Sequence, residues 1–466
     1  MGDPAVDEAV ATARRAQQEW GRISPAERQQ AVVLLKRTLV DSADRVVECV
    51  ATETGKSRAD VITGELMPAA IHARYLARNT ARHLGLRRVS AYPALHKRAW
   101  IRYEPLGVAA VISPWNFPFF LSFQPTMTAL AAGCGVVLKP SSTTPRSGAL
   151  VSKIVEASGM PTGLVRVVHG GAETGRALVA ADVDAVAFTG SSAVGREIAM
   201  QAGQRLIPTL LELGGKHPMI VLEDANMARA ARGAVWGRFF NAGQMCVAVE
   251  RVYVVDAAYD AFVEQLVGAL ADVEGSDDWH RGMGPLIGPD QMEVIERHVA
   301  DAVASGATVL SGGQRCGDRH HEPTVLVDVD HSMLVMNEET FGPVLPVMRV
   351  ADEEEAVARA NDSLFGLHAS VWAGDTLRAR RVAARLRVGT VAVNDGLVNY
   401  GIPALPFGGV GASGWGRTGS SDGLRAFSYA KSVAESRIRL RREFQWFPRR
   451  GSDKLRLRLM RFLAGR

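Results

Sequence analysis

Ala185-Val186-Ala187-Phe188-Thr189-Gly190-Ser191-Ser192-Ala193-Val194-Gly195 reads as an apolar strand, a tight turn and the opening of a helix. The G-x-G-x-x-G fingerprint is absent, yet the backbone N–H groups and dipole at such a helix start can hold a pyrophosphate. Taken alone, the stretch is more often a plain strand–turn–helix than a phosphate site. The same rhythm runs outward from it. Between Gly107 and about Gly215 strands and helices alternate: Val108–Ile112, a helix near Pro125–Ala132, Gly135–Leu138, a helix near Ser147–Ala157, Leu164–Val168 and Ala185–Phe188. This alternation predicts a parallel sheet with crossover helices, an architecture that binds dinucleotides at its strand ends.

On either side the pattern changes. Residues from Val6 to about Leu84 read as successive helices, with Ser24-Pro25-Ala26-Glu27 as a capping box carrying proline at the first helical position. Between Leu86 and Pro105 alternation such as Ala99-Trp100-Ile101-Arg102-Tyr103-Glu104 predicts strands in an exposed hairpin. A second α/β unit follows from about Lys216 to Gly411. The 466 residues are too many for one core. The fold class expected is α/β: a Rossmann-like unit and a second α/β unit.

Composition narrows the function. No run of uncharged apolar residues is long enough to span a membrane. Met1-Gly2-Asp3-Pro4-Ala5 leads straight into a polar helix without a secretory signal, and four unpatterned cysteines show neither a disulfide framework nor zinc spacing. A reducing cytoplasm fits, and no metal site is expected; His320-His321 reads as a solvated turn. The net charge of +5 is unevenly placed. Arg437 to Arg466 holds eleven basic and two acidic residues, so the body is slightly acidic and the tail strongly basic. No basic module interleaved with aromatics, as nucleic-acid binding would need, occurs in the body.

Phe239-Phe240-Asn241-Ala242-Gly243-Gln244-Met245-Cys246 holds the one cysteine set in a small, polar, glycine-containing turn. A lone cysteine is usually a small buried hydrophobe, but a reachable thiolate in a turn can be a nucleophile. Upstream, Glu212 in Leu211-Glu212-Leu213-Gly214-Gly215 is an acid at the end of an apolar strand, where burial should raise its pKa towards that of a general base. Asn116, in Pro114-Trp115-Asn116-Phe117-Pro118, can offer an amide N–H to a developing oxyanion.

Together these stretches resemble the aldehyde dehydrogenase superfamily over essentially the whole chain, with the flavour of its broad succinate-semialdehyde-like branch. The resemblance implies a cofactor domain of residues 1–85 and 106–214, a catalytic domain of 215–411, a β arm of 86–105 and 425–436 that pairs subunits into a dimer or tetramer, and a basic tail of 437–466. It further implies Cys246 as nucleophile, Glu212 as base and Asn116 in the oxyanion site. NAD or NADP would be held by Gly190 and Ser191 at the pyrophosphate, Lys139 and Ser142 at the adenosine ribose, Glu339 at the nicotinamide ribose, and Trp115 and Phe341 near the nicotinamide. Relatives that prefer NAD often carry glutamate where this chain has Ser142, so the expectation leans to NADP.

Relatives commonly have lysine at Gly411 and begin with a further strand-rich segment; its absence suggests a shortened protein or a late start. Relatives specialised for succinate semialdehyde place arginine at Gln124, and Phe117–Gln124 carries no charge here. An uncharged aliphatic or aromatic aldehyde is therefore expected, oxidised to the acid through a thiohemiacetal and thioester. Succinate semialdehyde and a non-catalytic binding or structural role are the alternatives. In the tail, Lys454–Leu463 would place Leu455, Leu459, Phe462 and Leu463 on one helical face, suited either to docking on protein or to weak contact with a membrane surface.

Overall fold

The computed structural model describes every residue except 1–2, 272, 274–282, 289, 444–445, 448–451 and 466. Part of the basic tail therefore lies outside the described residues. Strands Val108–Ile112 and Gly135–Lys139 are buried at every position, as expected where helices cover both faces of a parallel sheet. They join Val165–Val167, Ala185–Thr189 and Thr209–Glu212 in one parallel array, closed at its edge by the antiparallel pair Gly414–Trp415. A second sheet of seven strands runs from His217–Val221 to Thr390–Val393 in sequence, parallel except for its edge strand Thr308–Ser311. The junction between the sheets is the short turn Leu213–Lys216. Any group at the end of the Thr209–Glu212 strand thus faces the second unit.

The amino-terminal helices form as their sequence directs. Ser24 Oγ accepts from the Glu27 N–H (3.2 Å) while the Ser24 N–H donates to Glu27 Oε2 (2.7 Å), so the capping box is complete. Residues 87–89, 97–105 and 428–436 make a separate three-stranded antiparallel sheet, in which Lys97–Pro105 pairs along its whole length with Ser428–Ser436. Two expectations need correcting. The helix expected near Pro125 begins at Pro118. His321 is buried rather than solvated, its Nδ1 lying 2.9 Å from the Glu322 carbonyl.

The early helix start has a physical cause. Helix Pro118–Ala132 is buried at every position and has no side-chain cap of its own, so its first N–H groups need a partner from elsewhere. Glu65, in a π-turn at Ile62–Leu66, supplies it: Oε2 accepts from Phe119 N–H (2.8 Å) and Phe120 N–H (3.1 Å). Its other oxygen takes the Lys56 ammonium at 3.0 Å. Lys56 in turn donates to the Asn116 carbonyl and lies 4.0 Å from the centre of the Phe117 ring. Burial lowers the Lys56 pKa, and the neighbouring Glu65 opposes that shift. One buried pair therefore fixes both the helix start and the loop before it. Glu65→Ala strands a buried ammonium and two helix N–H groups, and is expected to cost about 3–5 kcal/mol in denaturant unfolding; a loss below about 1 kcal/mol would show that the pair does not hold this helix.

Candidate active site

Helix Met227–Phe239 opens with Asn226, whose side chain accepts from the Arg229 N–H, and ends where the chain turns back on itself. Asn241, Ala242 and Gly243 follow in the left-handed region, with φ of 54°, 54° and 74°. Two successive non-glycine residues there cost about 1–3 kcal/mol each, so the surroundings must over-determine them. They do. Asn241 Nδ2 donates to the Asn116 and Gln244 carbonyls, both at 3.2 Å. Gln244 is fully buried; its amide N–H groups donate to Asn241 O (2.8 Å) and Pro285 O (3.1 Å), and its oxygen accepts from Ile287 N–H (2.8 Å). Gly243 has a steric reason as well, since a Cβ there would sit 2.3 Å from the Gly342 carbonyl oxygen.

Beneath this loop lies a buried ionic cluster. The Glu250 carboxylate receives Lys216 Nζ (2.6 Å) and Arg238 (2.5 Å), and also accepts the Thr340 and Phe341 N–H groups at 3.1 and 3.2 Å. Arg238 reaches on to the Val249 and Gly342 carbonyls. Burial alone would raise the Glu250 pKa, but Arg238 and Lys216 outweigh it and hold the carboxyl down at about 2. The carboxylate is thus fully charged at any working pH. It pins the Glu339–Gly342 turn against the helix that leads into the Cys246 loop.

Cys246 opens onto a cleft of about 400 Å³ lined by Asn116, Phe117, Leu121, Trp236, Phe240 and Tyr400, among other residues. Its thiol pKa is pushed up to about 12 by burial and by the carboxylates of Glu212 and Glu339, against a downward pull from the N–H groups of Cys246 and Val247. Glu212 ends its strand with both carboxylate oxygens buried and unpartnered, and burial raises its pKa well above the usual carboxylate range. Asn116 is buried. One of its amide hydrogens goes to the Gln244 carbonyl at 3.0 Å, which leaves the second available in the cleft. Gly215 joins the groups: a Cβ there would lie 2.7 Å from the Cys246 carbonyl oxygen, so only glycine lets the interdomain turn pass beside the thiol. A thiol and an amide donor on one apolar cleft, with a buried carboxyl close enough to raise the thiol's pKa, can carry out acyl chemistry on a carbonyl carbon.

The remaining candidate residues stand on separate elements. Ser191 caps helix Ser192–Gln204, accepting from the Val194 N–H, so the turn at Gly190 and Ser191 does open a helix. Lys139 closes its strand, buried, with its amine making one weak bond to the Pro140 carbonyl (3.3 Å) and burial lowering its pKa. Ser142 is exposed in the turn that follows. Glu339 accepts from the Gly215 N–H at 2.8 Å; burial, reinforced by Glu250, raises its pKa to about 7. Trp115 and Phe341 meet edge to face, 5.6 Å between ring centres. A helix start, an under-used amine, a carboxylate with spare acceptor capacity and an aromatic pair fit a dinucleotide. Among the described residues no group of three His, Cys, Asp or Glu is placed to hold a metal.

The aldehyde dehydrogenase family model matches residues 1–433. The chain belongs to that family. It resembles the 4,4'-diapolycopene aldehyde oxidase of Methylomonas sp, with 42% identity over 445 residues covering 95% of this chain and 84% of the relative. A Mycobacterium ulcerans protein, provisionally named a succinate-semialdehyde dehydrogenase of NADP(+) type, is 38% identical over 440 residues, 93% and 85% of the two chains. The solved Mycobacterium tuberculosis aldehyde dehydrogenase complexed with NAD+ superposes with a TM-score of 0.87 at 35% identity, over 92% of this chain and 89% of that one. The protein is therefore an NAD(P)-dependent aldehyde dehydrogenase, an enzyme that oxidises aldehydes through a thiohemiacetal and a thioester.

Several groups that build the enzyme's site escaped sequence reasoning: Lys56 and Glu65, the Glu250 cluster, Gln244 and Tyr400. Glu250 stands in an apolar strand, Val249–Val255, and a carboxylate in such a run was the one available signal. Gln124 does not line the cleft; it faces a small neighbouring cavity with Phe120, while Phe117 and Leu121, on the other side of the helix, face the thiol's cleft. Glu212, a buried carboxyl without partners, is a stability cost whenever it is ionised. Its folded pKa is raised, so the cost is absent below the unfolded value and grows as pH rises towards the folded one. Glu212→Gln is thus expected to raise the thermal midpoint at pH 8 by an amount equivalent to about 1–3 kcal/mol, with the gain vanishing near pH 4. A gain independent of pH in calorimetry would contradict this account.

Proposed function

We propose that Cys246 is the nucleophile, Glu212 the base and Asn116 the oxyanion donor, acting on a large uncharged aldehyde. The cleft carries the substrate reading. Its lining is almost wholly apolar and contains no cationic residue; its one charged member, Asp395, is a carboxylate that accepts from the Leu397 and Val398 N–H groups. Lys56 lies against the Phe117 ring, with its charge met by Glu65. A substrate with a distal carboxylate would find repulsion there and no counter-charge. The similarity to a relative named for a polyene aldehyde agrees with an apolar substrate; the name of the Mycobacterium ulcerans relative carries the alternative, succinate semialdehyde.

In this scheme the Cys246 thiol gives its proton to Glu212, whose raised pKa makes it a ready acceptor, and Sγ bonds to the aldehyde carbon. The oxygen becomes an alkoxide held by the free Asn116 N–H and by a backbone N–H near Cys246. The nicotinamide supplies the hydride acceptor. A hydride leaves the tetrahedral carbon, the C=O bond re-forms, and a thioester remains on Cys246. Glu212 passes the thiol's proton to solvent and then takes a proton from water, hydroxyl adds to the thioester carbon, and the thiolate departs to release the acid. Trp115, Phe341 and Glu339 would orient the nicotinamide end of the cofactor, while Gly190, Ser191 and Lys139 would hold its phosphates and adenosine ribose.

Ser142 sets no negative charge against a 2′-phosphate, which supports use of both cofactors with a preference for NADP. Its replacement by glutamate is expected to shift the NAD to NADP ratio of kcat/KM by about tenfold or more towards NAD; no shift would remove Ser142 from cofactor choice. The exposed sheet of 87–89, 97–105 and 428–436 has a free edge along Ser428–Ser436, which suits strand pairing between subunits of a homodimer or homotetramer. A cytoplasmic setting fits four cysteines of which none is in a disulfide.

The substrate reading is tested by reduced-cofactor formation with hexanal, decanal, benzaldehyde and succinate semialdehyde, with Cys246→Ala as control. Uncharged aldehydes are expected to exceed succinate semialdehyde by about tenfold or more in kcat/KM. The rate should climb as pH rises above neutral, because raised pKa values keep both the thiol and Glu212 protonated at lower pH. Succinate semialdehyde as the preferred substrate would refute the reading.

A further inference from the structure

The tail forms a helix, Asp453–Leu463, opened by Ser452, whose hydroxyl accepts from the Leu455 N–H. None of its residues is buried. At 100° per residue Phe462, Leu455, Leu459 and Leu463 fall in one arc, with Lys454, Arg458 and Arg461 in the arc that adjoins it on one side and Arg456 flanking it on the other. Leu455 is 54% exposed and Phe462 72%. An apolar stripe of this kind left in water, next to a dense positive charge, needs an occupant.

From the geometry and charge we infer that this helix is an interfacial anchor that lies in the surface of an anionic bilayer. Eleven residues give a helix about 16 Å long, half of what a bilayer core requires, so it cannot span. Among the described residues no helix is long and apolar enough to cross a membrane. The charge selects a lipid surface over protein: the segment from Arg437 onward has eleven basic and two acidic residues. Both acids are already engaged, Glu443 with His96 and Lys97 at the arm, and Asp453 with Arg456. With eleven basic residues to two engaged acids, the segment carries a large excess of positive charge, as binding to anionic headgroups requires. Ile438, Leu440, Trp446 and Phe447 extend the exposed apolar surface through the same basic stretch. Tryptophan and phenylalanine among arginines suit the depth where headgroups meet acyl chains. Glu443 ties the base of this segment to the arm, so an inserted helix would hold the whole enzyme at the surface. This inference rests on the tail alone and does not depend on which aldehyde the cleft accepts.

The test uses the full-length enzyme, with flotation on vesicles of phosphatidylcholine containing about one-third phosphatidylglycerol, and on pure phosphatidylcholine, at low and physiological salt. Two variants are compared, Leu459→Glu with Phe462→Glu, and a chain ending at Gly451. Because the helix buries nothing, both should keep wild-type hexanal oxidation and circular dichroism. The expected result is flotation with anionic vesicles only, reduced by salt and reduced about tenfold or more in both variants. Failure of the intact enzyme to float at low salt would overturn the proposal. So would binding unchanged in the double variant, which would mean diffuse charge without an inserted face, or a variant that changes oligomeric mass in light scattering, which would mean the stripe packs on a second copy. Hexanal turnover is read in every arm, so a failed anchor and a failed enzyme are distinguishable.

Discussion

A single buried carboxylate organises the catalytic half of this enzyme. Glu250 receives two cations and two backbone N–H groups. The contacts come from three pieces of the site: Lys216 from the turn between the two sheets, Arg238 from the helix before the Cys246 loop, and Thr340 and Phe341 from the turn that bears Glu339. Desolvating such a cluster is costly, and replacing it by apolar groups would often be neutral for stability. What it provides is position. The Cys246 loop holds two non-glycine residues in left-handed conformation, and a loop under that strain stays in place only when its ends are fixed from outside.

A second buried pair, Lys56 with Glu65, does the equivalent for the opposite wall. It caps the helix that begins at Pro118 and holds the Asn116 carbonyl, while Asn241 donates to that same carbonyl from the Cys246 loop. The amide donor and the thiol are therefore placed by one shared set of hydrogen bonds. Beside the Cys246 loop, the Glu212 carboxylate and the Asn116 amide oxygen are among the buried polar atoms left unpartnered. Burial raises the pKa of the Glu212 carboxyl, and burial together with Glu212 and Glu339 raises that of the Cys246 thiol. The site is thereby costly to the fold.

Much of the fold was legible in the chain. The strand–helix rhythm from Gly107, the capping box at Ser24 and the alternation before Pro105 are local patterns, and local patterns survive into structure when burial agrees with them. The start of the helix at Pro118 was not legible, because its cap comes from a residue more than fifty positions away. Nor was the burial of His321. Gln124 illustrates the same limit: its place in the sequence suggested the substrate wall, whereas helical phase turns it to a neighbouring cavity.

For the site, the chain by itself determined the local settings of the candidate groups: a cysteine in a glycine turn, an acid at a strand end, an amide in a loop, a strand–turn–helix without the usual fingerprint. Those are statements about residue type and immediate neighbours, which sequence carries. Only the tertiary structure decided that Gly215 lets the interdomain turn pass the thiol, and that the cleft beyond it holds one carboxylate and no cation. It also revealed that Glu250 and Glu65 are the residues that keep the reactive groups in place. The reason is physical: partners in a buried ion pair or a cap are chosen by distance in space, and nothing in local periodicity records which distant charge will arrive.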